Sequence, residues 1–330
     1  MNHSRTYVYI AAVIAILFWG YSFLWTNSLI NNGVPIFTFL FLRLSIAGLL
    51  LLITAKLLKK LQKIHRKDLK YFIYMALFEP FLYFIGESYG MKATGSPTIT
   101  AVVVATIPVF SMLAEKLVYK THFTFKETLG MFLTIPGVLL VVFEKGSFSI
   151  EHIYGLLILL VAVCSTVLYS MNVKKLSENY NDITITTYQF CIGSIFFIPF
   201  FLIYGIHGIN AGFFTFKIIG PILGLAVFCS SLTYFMWVSV ISRLGIARAN
   251  IFTALIPGIS AISAAIVGQE AMDIYKFLGI IIVTTGVILA QVSRGPRPKK
   301  KLEKVKDGLV GILKNPVSPP EEKTTGKRSI

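Results

Sequence analysis

The sequence predicts an all-α integral membrane protein of ten transmembrane helices, in two inverted five-helix repeats, followed by a disordered basic C-terminal tail. Three observations predict it: a composition too apolar for water, ten apolar runs of membrane length, and an internal repeat relating the two halves. Of 330 residues, 55% are aliphatic, aromatic or Cys and 14% are charged, where a soluble domain carries about a quarter charged residues to cover its surface. The net charge of +16 divides unevenly: residues 294–330 hold 11 Lys/Arg against 4 Asp/Glu, and the remainder holds 20 against 11. Outside the tail the basic residues gather in short connections, where they set membrane orientation and attract anionic lipid. No nucleic acid partner is expected.

A spanning helix needs about 20 mostly apolar residues. The first span, 6–30, follows Arg5 and runs uncharged to Ser28-Leu29-Ile30-Asn31-Asn32. No small-residue cleavage site follows it, so it reads as a retained helix rather than a signal peptide. The second, 35–57, is crossed by one interior charge, Arg43, and the third, 70–91, carries Glu79 and Glu87. The fourth, 95–117, contains Pro108, and the fifth, 126–143, contains Gly130 and Gly137. The sixth, 153–173, stops at Lys174-Lys175, and the seventh, 183–204, holds Gln189. The eighth, 217–241, carries Tyr234 and Trp237, the ninth, 248–268, carries Pro257, and the tenth, 273–293, carries Gly279 and Gly286. No connection is long enough to house a folded domain. Cys164, Cys191 and Cys229 each fall in a different span with no metal-ligand spacing beside them, so buried free thiols are expected and a metal or cofactor is not.

Alternate connections collect fifteen Lys/Arg on one side: Arg5, seven from Lys56 to Lys70, three from Lys116 to Lys126, Lys174 and Lys175, and Arg243 and Arg248. The other side has four, Lys92, Lys145, Lys217 and Lys276. This bias places both termini in the cytoplasm, with the chain in the cell (inner) membrane. Reporter fusions after Lys60 and Ser293 are expected to behave as cytoplasmic and one after Lys145 as external; an external signal at Ser293 would remove the inverted arrangement. Residues 294–330 change abruptly to Lys, Glu and Pro and cannot bury enough apolar surface to order themselves. Leu302, Val305, Leu309 and Ile312 recur at helical spacing among lysines, leaving open a lipid-surface segment or a solvated tail. Truncation after Gly295 is expected to leave insertion and transport intact. Loss of transport in a normally inserted truncated protein would make the tail a gate or partner site.

A shift of 149 residues lays the fourth and fifth spans on the ninth and tenth, so that Pro108, Gly130 and Gly137 meet Pro257, Gly279 and Gly286. Leu and Val matches are cheap in apolar sequence, whereas Pro and Gly are specific to a backbone geometry. Five spans per half make the second copy enter the membrane from the opposite side, and such inverted repeats are a device of secondary transporters. The expected division is 1–145, 146–293 and the tail 294–330.

The chain resembles the EamA-domain members of the drug/metabolite transporter superfamily. The residues that carry the resemblance are Phe18-Trp19-Gly20-Tyr21-Ser22-Phe23, Phe41-Leu42-Arg43, Ala101 to Pro108, and Gly130 through Pro136-Gly137-Val138. In the second half they are Tyr234-Phe235-Met236-Trp237, Ala249 to Pro257, Gly268-Gln269-Glu270, and Gly279 through Gly286-Val287. The family's Gly-Glu pair at the end of the fourth helix is missing: Thr121 aligns with Glu270. The resemblance implies export of small metabolites, often amino acids or related compounds.

An ionisable side chain at the bilayer centre costs about 2.5–3.5 kcal/mol on insertion scales, so Arg43, Glu79 and Glu87 are the first site candidates. At about 1.5 Å per residue, Arg43 lies ~12 Å below the outer end of its span and Glu79 ~13 Å above the inner end of its own. Tyr83 stands between Glu79 and Glu87 at helical spacing. Arg43 is expected to pair with one glutamate, leaving the other, with Glu79 preferred, to respond to protons or contact substrate; a network that only fixes helix packing is the competing reading. Trp19 and Trp237 suit an apolar or aromatic group, Asn27 and Asn250 a carboxylate or amino group, and Gln189 and Tyr234 face the same expected cavity. Pro108 and Pro257 each remove a mid-helix hydrogen bond, as paired hinges or as packing kinks. Gly20, Gly90, Gly95, Gly137 and Gly286 are expected to permit close helix contact.

A channel or lipid scramblase would share the span count but has no need of paired hinge prolines. An integral membrane enzyme would need a catalytic constellation, yet His3, His65, His122, His152 and His207 sit in connections or at helix ends, so an enzyme is not expected. The expected partners are a small-molecule substrate, protons and membrane lipids.

Overall fold

The computed structural model describes residues 3–119, 124–142, 150–209, 211–244 and 246–292. The tail at 294–330, the division at 145 and Thr121 lie outside them. Regular structure among the described residues is helical throughout. Nine helices there are long and apolar enough to cross a membrane, and a shorter one, Ile251–Val267, supplies the tenth. Their exposed faces carry Phe132, Ile135, Leu157, Ile195 and Leu202, the apolar exterior that a lipid solvent requires.

The spans run His3–Asn31, Ile36–Leu57, Leu69–Thr94, Pro97–Tyr119, Phe125–Val142, Ile150–Leu176, Asp182–Gly208, Phe216–Leu244, Ile246–Val267 and Ile274–Val292. Two are interrupted at the prolines expected to act as hinges or kinks. The fourth divides into Pro97–Val104 and Ile107–Tyr119, and the ninth into Ile246–Thr253 and Ile256–Val267. Each break immediately precedes its proline, which lacks an N–H and crowds the preceding turn, so the ladder stops and restarts with Pro108 or Pro257 near the new N-terminus. The third and eighth spans are also irregular at equivalent places: the third kinks within Leu77–Leu82, where Glu79 leaves helical geometry, and the eighth holds a π-helical stretch at Leu225–Leu232.

The 149-residue offset therefore survives in three dimensions, and helix contacts reveal its axis. Ser45 Oγ lies 2.7 Å from Ser194 Oγ, residues separated by that same 149. In the fifth and tenth spans, Gly130 packs on Gly286 and Gly137 on Gly279. One index rises while the other falls, so the helices are antiparallel and exchange under a two-fold operation. The missing Cβ atoms let these backbones touch. Gly20 and Gly90 likewise pack against Ile259 and Leu159. Gly95 does not: a Cβ there would meet nothing within 4 Å, and its φ of +62° ends the third span in the left-handed conformation.

At one end, the loop after the second span is tied to the loop after the sixth: the Tyr180 hydroxyl donates to Asp68 at 2.9 Å and accepts from the His65 N–H at 3.0 Å. The cysteines are free, but only Cys229 is buried; Cys164 is exposed. Its helix is apolar on both faces, and periodicity gave no sign of which one meets lipid.

Candidate functional site

The third span bends where Glu79 precedes Pro80. Proline disfavours helical geometry in the residue before it, and Glu79 adopts extended angles, φ −146° and ψ 116°. Its backbone carbonyl, released from the ladder, accepts from Gln189 Nε2 at 3.2 Å. The Glu79 side chain is buried, with Oε1 taking the Tyr234 hydroxyl at 2.5 Å. Two turns further along, Glu87 is also buried and meets the Tyr83 hydroxyl at 3.5 Å.

Both carboxyls line a cavity of ≈ 80 Å³ between the halves. Arg43 enters it from the second span, Trp19 and Ser22 from the first, and Tyr83 from the third; Tyr234 and Trp237 come from the eighth. The broken helices close it, with Val104, Ala105 and Ile107 on one side and Thr253 and Ile256 on the other. Trp19 anchors the aromatic wall: its Nε1 donates to the Cys229 carbonyl at 3.2 Å, and its ring meets Tyr234 and Trp237 edge-on at 5.3 and 4.9 Å. The volume of ≈ 80 Å³ is the share of between two and three waters (about 30 Å³ each) and is well below the roughly 300–1,000 Å³ of drug-sized sites.

Arg43 does not form the expected pair with a glutamate. Its Nε donates to Ser230 Oγ at 2.7 Å, its guanidinium lies 4.0 Å over the Phe84 ring, and among the described residues no carboxylate oxygen comes within ion-pair distance of it. A hydroxyl and an aromatic face satisfy the cation at the eighth-span bulge, leaving both acids without a contacting counter-charge.

Two other candidates sit away from the cavity. Gln189 stands behind Glu79, accepting from the Tyr169 hydroxyl at 3.3 Å while it holds the Glu79 carbonyl. Asn27 lies at the far end of the first span and donates to Gln269 Oε1 at 3.0 Å. Beside Gln269, Glu270 accepts the Thr98 hydroxyl and lies 3.6 Å from Lys276 Nζ. This polar cluster joins the first, fourth and tenth spans to the turn that follows the ninth. The side chain of Asn250 lies outside the described residues. Pro108 and Pro257 mark the two breaks bordering the cavity, and Gln291 Nε2 reaches the Pro108 carbonyl at 3.4 Å.

Sequence reasoning missed Thr166, Tyr169 and Ser170 of the sixth span, all of which line the cavity. Their signal was available: Thr166, Tyr169 and Ser170 recur at three- and four-residue spacing, on one face of the helix. The site is also asymmetric where the fold is symmetric. The equivalents of Glu79, Glu87 and Arg43 in the second half are Phe228, Met236 and Ile192, so the charges come from the first half alone.

The sequence pattern of the EamA-like transporter family matches this chain twice, over residues 6–143 and 153–291. The chain belongs to the EamA-like transporter family. This EamA protein is 25% identical over 303 residues to "Uncharacterized transporter YetK" of Bacillus subtilis (strain 168), the match covering 87% of each chain. It is 27% identical over 290 residues to an "Uncharacterized transporter" of Archaeoglobus fulgidus, covering 87% of this chain and 97% of that one. A protein of known crystal structure shares the EamA fold seen here with a TM-score of 0.67 at 14% identity, over 87% of this chain and 99% of the other. The protein is thus a multi-pass membrane protein of a transporter family.

Proposed function

We propose that this EamA protein is a secondary carrier that exports a small metabolite, an amino acid or related compound, by alternating access. Protons drive it, and both termini face the cytoplasm of the cell whose membrane it spans. One observation carries the reading: a single cavity holds two buried carboxyls without a contacting cation and touches both helix breaks, which occupy equivalent positions in the two halves. In inverted-repeat carriers, discontinuous helices meet substrate near the midplane while one half rocks against the other. Pro108 and Pro257 are the hinges of that motion. Glu79 is the proton-responsive or substrate-contacting acid, and Glu87, Arg43 and the Tyr83, Tyr169 and Tyr234 hydroxyls form its polar surroundings.

A channel or scramblase would tolerate the span count but gains nothing from paired breaks around buried acids. Purified protein in liposomes loaded with a mixed metabolite pool is expected to show saturable export that stops when the pH gradient is collapsed. Flux rising linearly with concentration would favour a channel. Saturable flux indifferent to the gradient would remove the proton and keep the carrier.

A further inference from the structure

The central cavity contains two neighbouring buried oxygens, neither of which has a partner at full hydrogen-bond geometry. Glu79 is 5% exposed, and its Oε2 is buried with no hydrogen-bond partner. The Thr166 hydroxyl stands close enough to Glu79 to interact with its carboxyl, yet its Oγ1 is also buried and reaches no partner at full hydrogen-bond geometry. Buried polar atoms of this kind normally have partners. A carboxylate accepts only, and a hydroxyl that turns its hydrogen toward the carboxylate can still accept, so the pair offers lone pairs to an incoming group that donates.

The charge balance specifies that group further. Two carboxyls share the cavity with one guanidinium, which is already held by Ser230 and the Phe84 ring. An anion entering here would meet two acids and a cation that is otherwise occupied. A positive group would meet Glu79, Glu87 and the aromatic wall of Trp19, Tyr234 and Trp237, whose π-systems attract cations.

We propose that the cavity takes a substrate carrying a protonated primary or secondary amine, its N–H groups donating to Glu79 Oε2 and Thr166 Oγ1 and its carbon skeleton against Trp19 and Trp237. The proposal rests on the carrier reading for its biological sense, though binding can be measured without transport. Water is the alternative occupant, since it too can donate to both oxygens in a cavity of ≈ 80 Å³.

The test uses the full-length protein in nanodiscs with three compounds of one small skeleton that suits ≈ 80 Å³: propylamine, propionamide and propionate. Propylamine is expected to bind at least tenfold more tightly than the other two by equilibrium titration. Glu79→Gln should abolish that preference, Glu79→Asp should retain it at lower affinity, and Thr166→Val should weaken amine binding about tenfold, the loss of one buried hydrogen bond. Equal affinities, a preference for propionate, or no amine binding by well-folded protein would overturn the proposal and leave water as the occupant. Amine binding without flux in liposomes would sustain the proposal and sink the carrier reading. Saturable flux of neutral or anionic compounds with no amine binding would do the reverse.

Discussion

Glu79→Gln is expected to reduce flux in liposomes to the level of protein-free vesicles while the protein still inserts and elutes as a folded species. Glutamine keeps the volume of the side chain, and its Oε1 still accepts from the Tyr234 hydroxyl that holds Glu79 at 2.5 Å. The packing around the cavity therefore survives; what disappears is the charge and the site for a proton. A residue that only fixes helices would tolerate this change. A transport acid would lose roughly tenfold in rate or more, about 1.4 kcal/mol or above. Flux measured at several pH values with insertion checked separately decides between them. If Glu79→Gln and Glu87→Gln both carry substrate at the wild-type rate with the wild-type pH dependence, the acids are packing elements and the proton-coupled reading is wrong.

Gly130→Ala is expected to produce the largest loss of stability, because the new Cβ would collide with backbone rather than with a movable side chain. It would lie 2.5 Å from both the Ala290 nitrogen and the Gly286 oxygen. Overpacking costs about 1–3 kcal/mol where side chains can rearrange, and here the fifth and tenth spans must separate instead. Gly258→Ala is the control: its nearest neighbour, Ile280 Cγ2, would be 3.9 Å away, an ordinary contact. Thermal unfolding in detergent should show a clear drop in Tm for Gly130→Ala and little change for Gly258→Ala. Equal Tm values for Gly130→Ala and wild type would mean that the glycine crossing does not hold the two halves together.

The ten spans were legible because length and apolarity are all that a bilayer demands of a helix. The inverted repeat was legible because Pro108, Gly130 and Gly137 and their partners 149 residues later are backbone-specific residues, rare enough to align by eye. Arg43, Glu79 and Glu87 stood out because charge at membrane depth is costly. The sequence alone did not reveal that the two prolines break their helices outright, that Glu79 is turned into the cavity by Pro80, or that Arg43 rests on Ser230 and Phe84. Nor did it separate Thr166, which faces the cavity, from Asn27, which does not. The physical reason is common to all of these. In water, the buried face of a helix is apolar and the exposed face polar, so a sequence records which way its side chains point; in lipid both faces are apolar. Direction around each helix, and with it the choice of partner for every buried polar group, is decided only when the helices pack.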